Sequence, residues 1–148
     1  MTTRPRLFLD ASVWIAAAGS RTGASALVLS LCREGVAVAL ASQPVLSEAE
    51  RNIRKKLGRE ALLRFYEDLA GADPEVLEPP AATELTAQRR IISAKDAHVI
   101  AAALKGRVET LLTLDRRHFL VPSVLQAGLP FQIMTPGQFL RRIVRRGD

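Results

Sequence analysis

Leu7-Phe-Leu-Asp10-Ala-Ser12-Val-Trp14-Ile-Ala-Ala-Ala18 places an aspartate between two apolar segments of different period. Residues 6 to 9 read as a short buried strand, and Ala11 to Ala18 continue as a helix-like run. An ionised carboxylate at that junction is costly unless hydrogen-bond donors or a cation meet it. Asp10 is therefore the first candidate functional residue.

Further strand-like runs lie at Val36 to Ala41, Glu75 to Glu78, Thr110 to Leu114 and Phe131 to Met134. The stretches between them carry apolar residues at helical spacing. Strands alternating with helices predict an α/β fold, a three-layer α/β/α arrangement around a mainly parallel sheet of about five strands. In such folds ligand chemistry collects where the carboxyl ends of the strands meet. Ser42 with Pro44 predicts a helix start, Pro79-Pro80 another, and Pro136 after Thr135 the last. Gly58, Gly71, Gly106 and Gly128 read as punctuation, and Arg145 to Asp148 read as free to fray. With neither an internal repeat nor a low-complexity linker, the 148 residues are expected to form one domain, 1–148.

Lys and Arg number 21 against 15 Asp and Glu, a net charge of +6, which favours a polyanionic partner. Aromatic residues, at 5%, leave little material for base stacking, so any grip on nucleic acid is expected to be mainly ionic. The lone cysteine, Cys32, excludes a disulfide framework and a thiolate metal site and reads as core packing. Arg4-Pro-Arg6 before an apolar run imitates a secretion signal, but Asp10 interrupts it, and no uninterrupted apolar stretch has the length of a membrane span. A cytoplasmic protein with no membrane partner is expected.

Most of the acids, Glu60, Glu67, Asp68, Asp73 and Glu84 among them, read as solvated helix or loop residues. Three aspartates do not. Asp10 follows the first strand, Asp115 follows the apolar run Thr110 to Leu114, and Asp96 begins the helix Ala94 to Lys105 on the face of Val99, Ile100 and Ala103. A fourth carboxylate is expected from the helix after the second strand. Within Leu46-Ser-Glu-Ala-Glu-Arg51, the helical wheel leans to Glu50 and depth along the helix leans to Glu48. Three or four carboxylates in one pocket repel one another, and a divalent cation relieves the repulsion. Hard oxygen ligands select Mg²⁺ or Mn²⁺ over zinc. A bound ion of that kind can lower the pKa of a water nucleophile and neutralise charge on a phosphate, which fits phosphodiester cleavage.

These residues fall into four blocks that resemble the PIN-domain ribonucleases, and more closely the VapC-type toxins of bacterial toxin-antitoxin systems. The blocks are Leu7-Phe-Leu-Asp10-Ala-Ser12-Val, Ser42-Gln-Pro-Val-Leu-Ser-Glu48, Lys95-Asp96-Ala-His-Val-Ile-Ala-Ala-Ala-Leu104 and Leu111-Leu-Thr113-Leu-Asp115-Arg-Arg-His-Phe119. The closing Thr135-Pro-Gly-Gln-Phe-Leu140 is also similar, so the resemblance spans residues 6 to 140. It tips the choice to Glu48 over Glu50. It implies a metal-dependent endoribonuclease in which Asp10, Glu48, Asp96 and Asp115 hold one or two Mg²⁺ or Mn²⁺ ions, with Ser12 and Thr113 in support. It further implies single-stranded RNA as substrate, a homodimer and a cognate antitoxin. Arg51, Arg54, Lys55, Lys56, Arg116 and Arg117 are candidate phosphate contacts or solvated surface charges. His98 and His118 could contact RNA or support a metal, but a site that needs only carboxylates leaves them as structural or surface residues, and Trp14 reads as core and not as a stacking platform.

Two other readings compete. A phosphatase of the dehalogenase type needs an aspartate where Ser12 stands, and a receiver domain needs an acidic pair and a late lysine that are not evident. A PIN-like protein that binds RNA or a partner without cleaving remains the alternative of a different class.

Overall fold

The computed structural model describes residues 3–147. Five strands form one sheet: β1 (Arg6–Leu9), β2 (Val38–Ser42), β3 (Glu75–Leu77), β4 (Thr110–Leu112) and β5 (Gln132–Met134). Their order is β3-β2-β1-β4-β5, and every pair is parallel. Among the described residues eight helices complete a three-layer α/β/α fold: α1 (Ala11–Gly19), α2 (Ala24–Arg33), α3 (Gln43–Lys56), α4 (Arg59–Ala72), α5 (Ala82–Gln88), α6 (Ala94–Lys105), α7 (Pro122–Leu125) and α8 (Pro136–Gly147).

β1 is the middle strand, paired on both sides, and Leu7, Phe8 and Leu9 have no exposed surface. A strand covered on both faces reads as a continuous apolar run, which is why Leu-Phe-Leu does not alternate. The chain steps from β1 to β2 and β3 on one side, then crosses back to β4 and β5 on the other. That reversal makes the carboxyl ends of β1 and β4 the switch point of the sheet. Helices α1, α2, α3 and α4 pack on one another, and α6 pairs with α5 and reaches β2. Trp14 of α1 is fully buried, its indole N–H donating to the Leu9 carbonyl at 3.2 Å and its ring edge-on to Phe65 of α4 at 6.1 Å. Cys32 is buried in the same core, which pushes its thiol up to about 12.

Several expected boundaries move, each for a local reason. β2 starts at Val38, because the Val36 and Ala37 amides still donate to Leu31 at the end of α2. β4 ends at Leu112, because the Leu114 amide donates to the Ser12 hydroxyl instead of a strand neighbour. The helix after Pro79-Pro80 begins at Ala82, where Glu84 turns back to accept the Ala81 amide at 2.9 Å. Gly71 lies inside the last turn of α4, overlain by the Arg33 side chain, and the helix is closed by Asp73 in the left-handed conformation. Arg145 and Arg146 continue α8, and Arg146 reaches Glu109 at 3.8 Å; Asp148 lies outside the described residues.

The largest departure is Asp68. It is 2% exposed, with one oxygen accepting from Arg21 at 2.8 Å and facing Arg33 at 3.5 Å. α4 turns this residue inward onto the α1–α2 connection, where it holds two arginines by charge. No single helix among the described residues is long and apolar enough to cross a membrane.

Phe65→Ala removes the ring that joins α4 to Trp14. It should lower unfolding stability by about 3 to 5 kcal/mol, the usual cost of a buried aromatic truncation, seen as a reduced urea midpoint at unchanged slope.

Candidate active site

Asp10 follows directly on β1 and caps the start of α1, so a central strand and a helix fix its backbone. Its side chain is 7% exposed. Oδ2 accepts from the Thr113 hydroxyl at 2.8 Å and from the Ser12 hydroxyl at 3.2 Å. Those hydroxyls in turn accept from the chain beyond β4: Ser12 from the Leu114 amide and Thr113 from the Asp115 amide, each at 3.0 Å. Burial pushes the Asp10 carboxyl up to about 6, with nearby Glu48 adding to the rise and the Thr113, Ala11 and Ser12 donors opposing it.

Asp115 lies across the β1–β4 seam. Partial burial pushes its carboxyl up, but the His118 amide, the His118 imidazole and the Arg117 amide outweigh this and hold it below the usual carboxylate range. Its Oδ1 accepts both amides, at 2.9 and 3.0 Å, and its Oδ2 meets His118 Nδ1 at 3.0 Å. Glu48 comes from α3, whose start is fixed by Ser42 accepting the Val45 amide. Asp96 sits in the first turn of α6, half-buried, and accepts from the Ser93 hydroxyl at 3.3 Å.

Asp10, Glu48, Asp96 and Asp115 line one cleft of about 240 Å³, together with Ser12. Glu50 does not line it; that side chain is 42% exposed and turned to Arg54 at 3.5 Å. Thr113 lies fully buried beneath the cleft, hydrogen-bonded to three of its lining residues: Asp10, Ser12 and Asp115. Arg51, Arg116 and Arg117 are exposed and outside the cleft lining. His98 is outside it as well, with a buried Nδ1 that has no partner among the described residues. Three polar residues that sequence reasoning passed over or set aside do line it: Asn52, Lys95 and His118. Asn52 lies one helical turn beyond Glu48 and donates to its carbonyl at 2.8 Å, so its spacing was a usable signal. Lys95 and His118 are neighbours of Asp96 and Asp115 in the chain, but only the fold turns them the same way.

The donor set, four carboxylates and no thiolate, suits a hard dication. With the side chains as they stand, no three His, Cys, Asp or Glu groups among the described residues are gathered at ligand spacing. The cleft is thus an open acidic site and not a closed cage.

A family model of the PIN domain matches residues 6–117, and the chain belongs to the PIN domain family. Solved structures share the fold. PAE2754 from Pyrobaculum aerophilum matches with a TM-score of 0.64 at 21% identity, covering 93% of this chain and 88% of its own. VapBC2 from Rickettsia felis, bound to a DNA fragment from their promoter, matches with a TM-score of 0.62 at 15% identity over 87% of this chain and 96% of that one. VapC20 from Mycobacterium tuberculosis, a sarcin-ricin loop cleaving toxin, matches with a TM-score of 0.56 at 19% identity over 83% and 95%. At such identities the likeness speaks for the fold alone. No curated protein matches the chain in sequence.

The raised carboxyl has a thermodynamic consequence. Burial pushes the Asp10 carboxyl up to about 6 in the fold from an ordinary 3.8, so its proton stabilises the fold fully below about pH 4, and that stability is lost as pH rises through about 6. In metal-free protein Asp10→Asn has no charge to bury. It should therefore be more stable than the native chain by roughly 2 to 3 kcal/mol at pH 8, at 1.36 kcal/mol per pKa unit, the difference vanishing near pH 4 in urea titrations.

Proposed function

We propose that this chain is a metal-dependent endoribonuclease of single-stranded RNA, acting as the toxin of a toxin-antitoxin pair. The observation that carries the reading is that four carboxylates from four separate elements line one cleft in a PIN domain. The structural neighbour from Mycobacterium tuberculosis is a cleaving toxin, which supports the reading by analogy.

In this reading Asp10, Glu48, Asp96 and Asp115 hold Mg²⁺ or Mn²⁺. The ion supplies charge neutralisation at a phosphate and a water of lowered pKa. The chain's own residues do the positioning. Ser12 and Thr113 both donate to Oδ2 of Asp10, which holds the carboxylate in place at the cleft. Asp115 is held ionised by its loop amides and by His118. Lys95, the lysine among the cleft residues, would meet a phosphate oxygen and draw the RNA backbone into an otherwise acidic site. A homodimer and a cognate antitoxin complete the proposal.

The open spacing of the carboxylates favours a second reading, a PIN-domain protein that binds RNA or a partner without cutting it. One assay separates the two. Labelled single-stranded RNA should be cut in Mg²⁺ or Mn²⁺ by the native chain and at least ~100-fold more slowly by Asp10→Asn. Equal rates would remove Asp10 from the chemistry, and tight RNA binding without cleavage over many sequences would favour the second reading. Independently, millimolar Mn²⁺ should raise the melting temperature of the native chain by several degrees, as expected for a ligand that binds only the folded state, and leave that of Asp10→Asn unchanged.

A further inference from the structure

A second cavity, larger than the acidic cleft, lies elsewhere on the molecule. It is an open groove of about 830 Å³ lined by α7, the turn after it, β5 and α8, and it shares no residue with the cleft. Its volume falls in the range of ligand-binding clefts, roughly 300 to 1,000 Å³. Leu125, Leu129, Ile133 and Met134 give it an apolar floor, and Leu125 is 50% exposed.

The sequence of α8 explains the charge on its wall. Phe139 is buried, and Leu140 and Ile143 pack against the core, which turns Arg141, Arg142 and Arg145 to the groove. Arg142 donates to the Gln132 side chain. Arg141 and Arg145 have neither a hydrogen-bond nor an ion-pair partner among the described residues, and no carboxylate lines the groove. Among the described residues like charges are therefore gathered over an apolar surface without a compensating carboxylate, an arrangement that favours an anionic and amphipathic occupant.

The sheet contributes a third feature. β5 is an edge strand. The Gln132 amide donates to Glu109 and the Met134 carbonyl accepts from Thr113, both towards β4. Because backbone groups alternate sides along a strand, the N–H and C=O of Ile133 face the open edge.

We infer that this groove docks an extended acidic peptide segment of a partner protein, with its carboxylates on Arg141 and Arg145 and its alternate apolar side chains on the floor. Such a segment uses the charge, the apolar floor and the free strand edge together. RNA would use the guanidinium groups alone, since a phosphodiester chain has no apolar face to lay on Leu129 and Ile133, and Phe131 is too buried to stack a base. A second copy docked across a two-fold axis would set these arginines against their own counterparts. The inference goes beyond the nuclease reading and does not depend on RNA cleavage.

A random octapeptide display library panned against the full chain tests it. The expected selection alternates Asp or Glu with Leu, Ile or Val. A labelled synthetic copy of the selected peptide should bind about tenfold or more weakly to Arg141→Glu/Arg145→Glu, and likewise to Leu125→Glu, which places a negative charge on the floor. Asp10→Asn should bind it unchanged, which separates this surface from the acidic cleft. The proposal is overturned by a selection without acidic residues or by affinity indifferent to all groove variants. It is equally overturned if the same variants abolish binding of oligouridylate, or if they dissociate a dimer seen by light scattering, because RNA or a second copy is then the occupant.

Discussion

One oxygen of Asp10 accepts two hydroxyls, and the arrangement of the site depends on that sharing. Ser12 sits two residues downstream on α1, and Thr113 comes from the far side of the β1–β4 seam. Each hydroxyl donates a hydrogen bond to Asp10 and accepts one from an amide of the chain leaving β4. A buried carboxylate is thus met by donors, and the same contacts stop β4 from continuing as a strand. The loop that carries Asp115 is held against the end of β1 by the residue it must face.

The two aspartates of the seam are ionised on different terms. Asp10 is surrounded by the core and by Glu48, and its carboxyl is raised. Asp115 turns within its own loop onto two amides and His118, and its carboxyl is lowered although it is partly buried. Environment and not residue type separates them. In the proposed nuclease, a cation would relieve the cost of ionising Asp10, while Asp115 is held charged by its own loop.

Charge is segregated over the molecule. The net charge of +6 has its counterweight in a small acidic cleft with Lys95 on its wall, while α8 presents three arginines to a separate groove. Basic surroundings raise the local concentration of polyanions without neutralising the pocket itself. The two surfaces are distinct in chemistry as well as place: hard oxygen donors in one, guanidinium groups over an apolar floor in the other.

Much of this was legible in the amino-acid order because it is local. Leu7-Phe-Leu, the Ser42-Gln-Pro44 helix start and the Thr135-Pro136 start each carry their own reason, a buried strand or a cap, within a few residues. Glu48 against Glu50 was not legible from the sequence, since the helical wheel leaned to Glu50 and depth along α3 leaned to Glu48, and only the position of β1 decides which reaches the cleft. Asp68 misled because nothing in Tyr66-Glu-Asp-Leu69 shows that Arg21 and Arg33, far away in the chain, wait to pair with it. His118 and Lys95 were likewise ordinary until the loop after β4 and the start of α6 met over one cleft. The chain by itself determined which segments become strands and helices, since burial period and capping act over a turn or two. The tertiary structure alone decided which charges share a pocket, because Coulomb interaction and desolvation depend on distance through space.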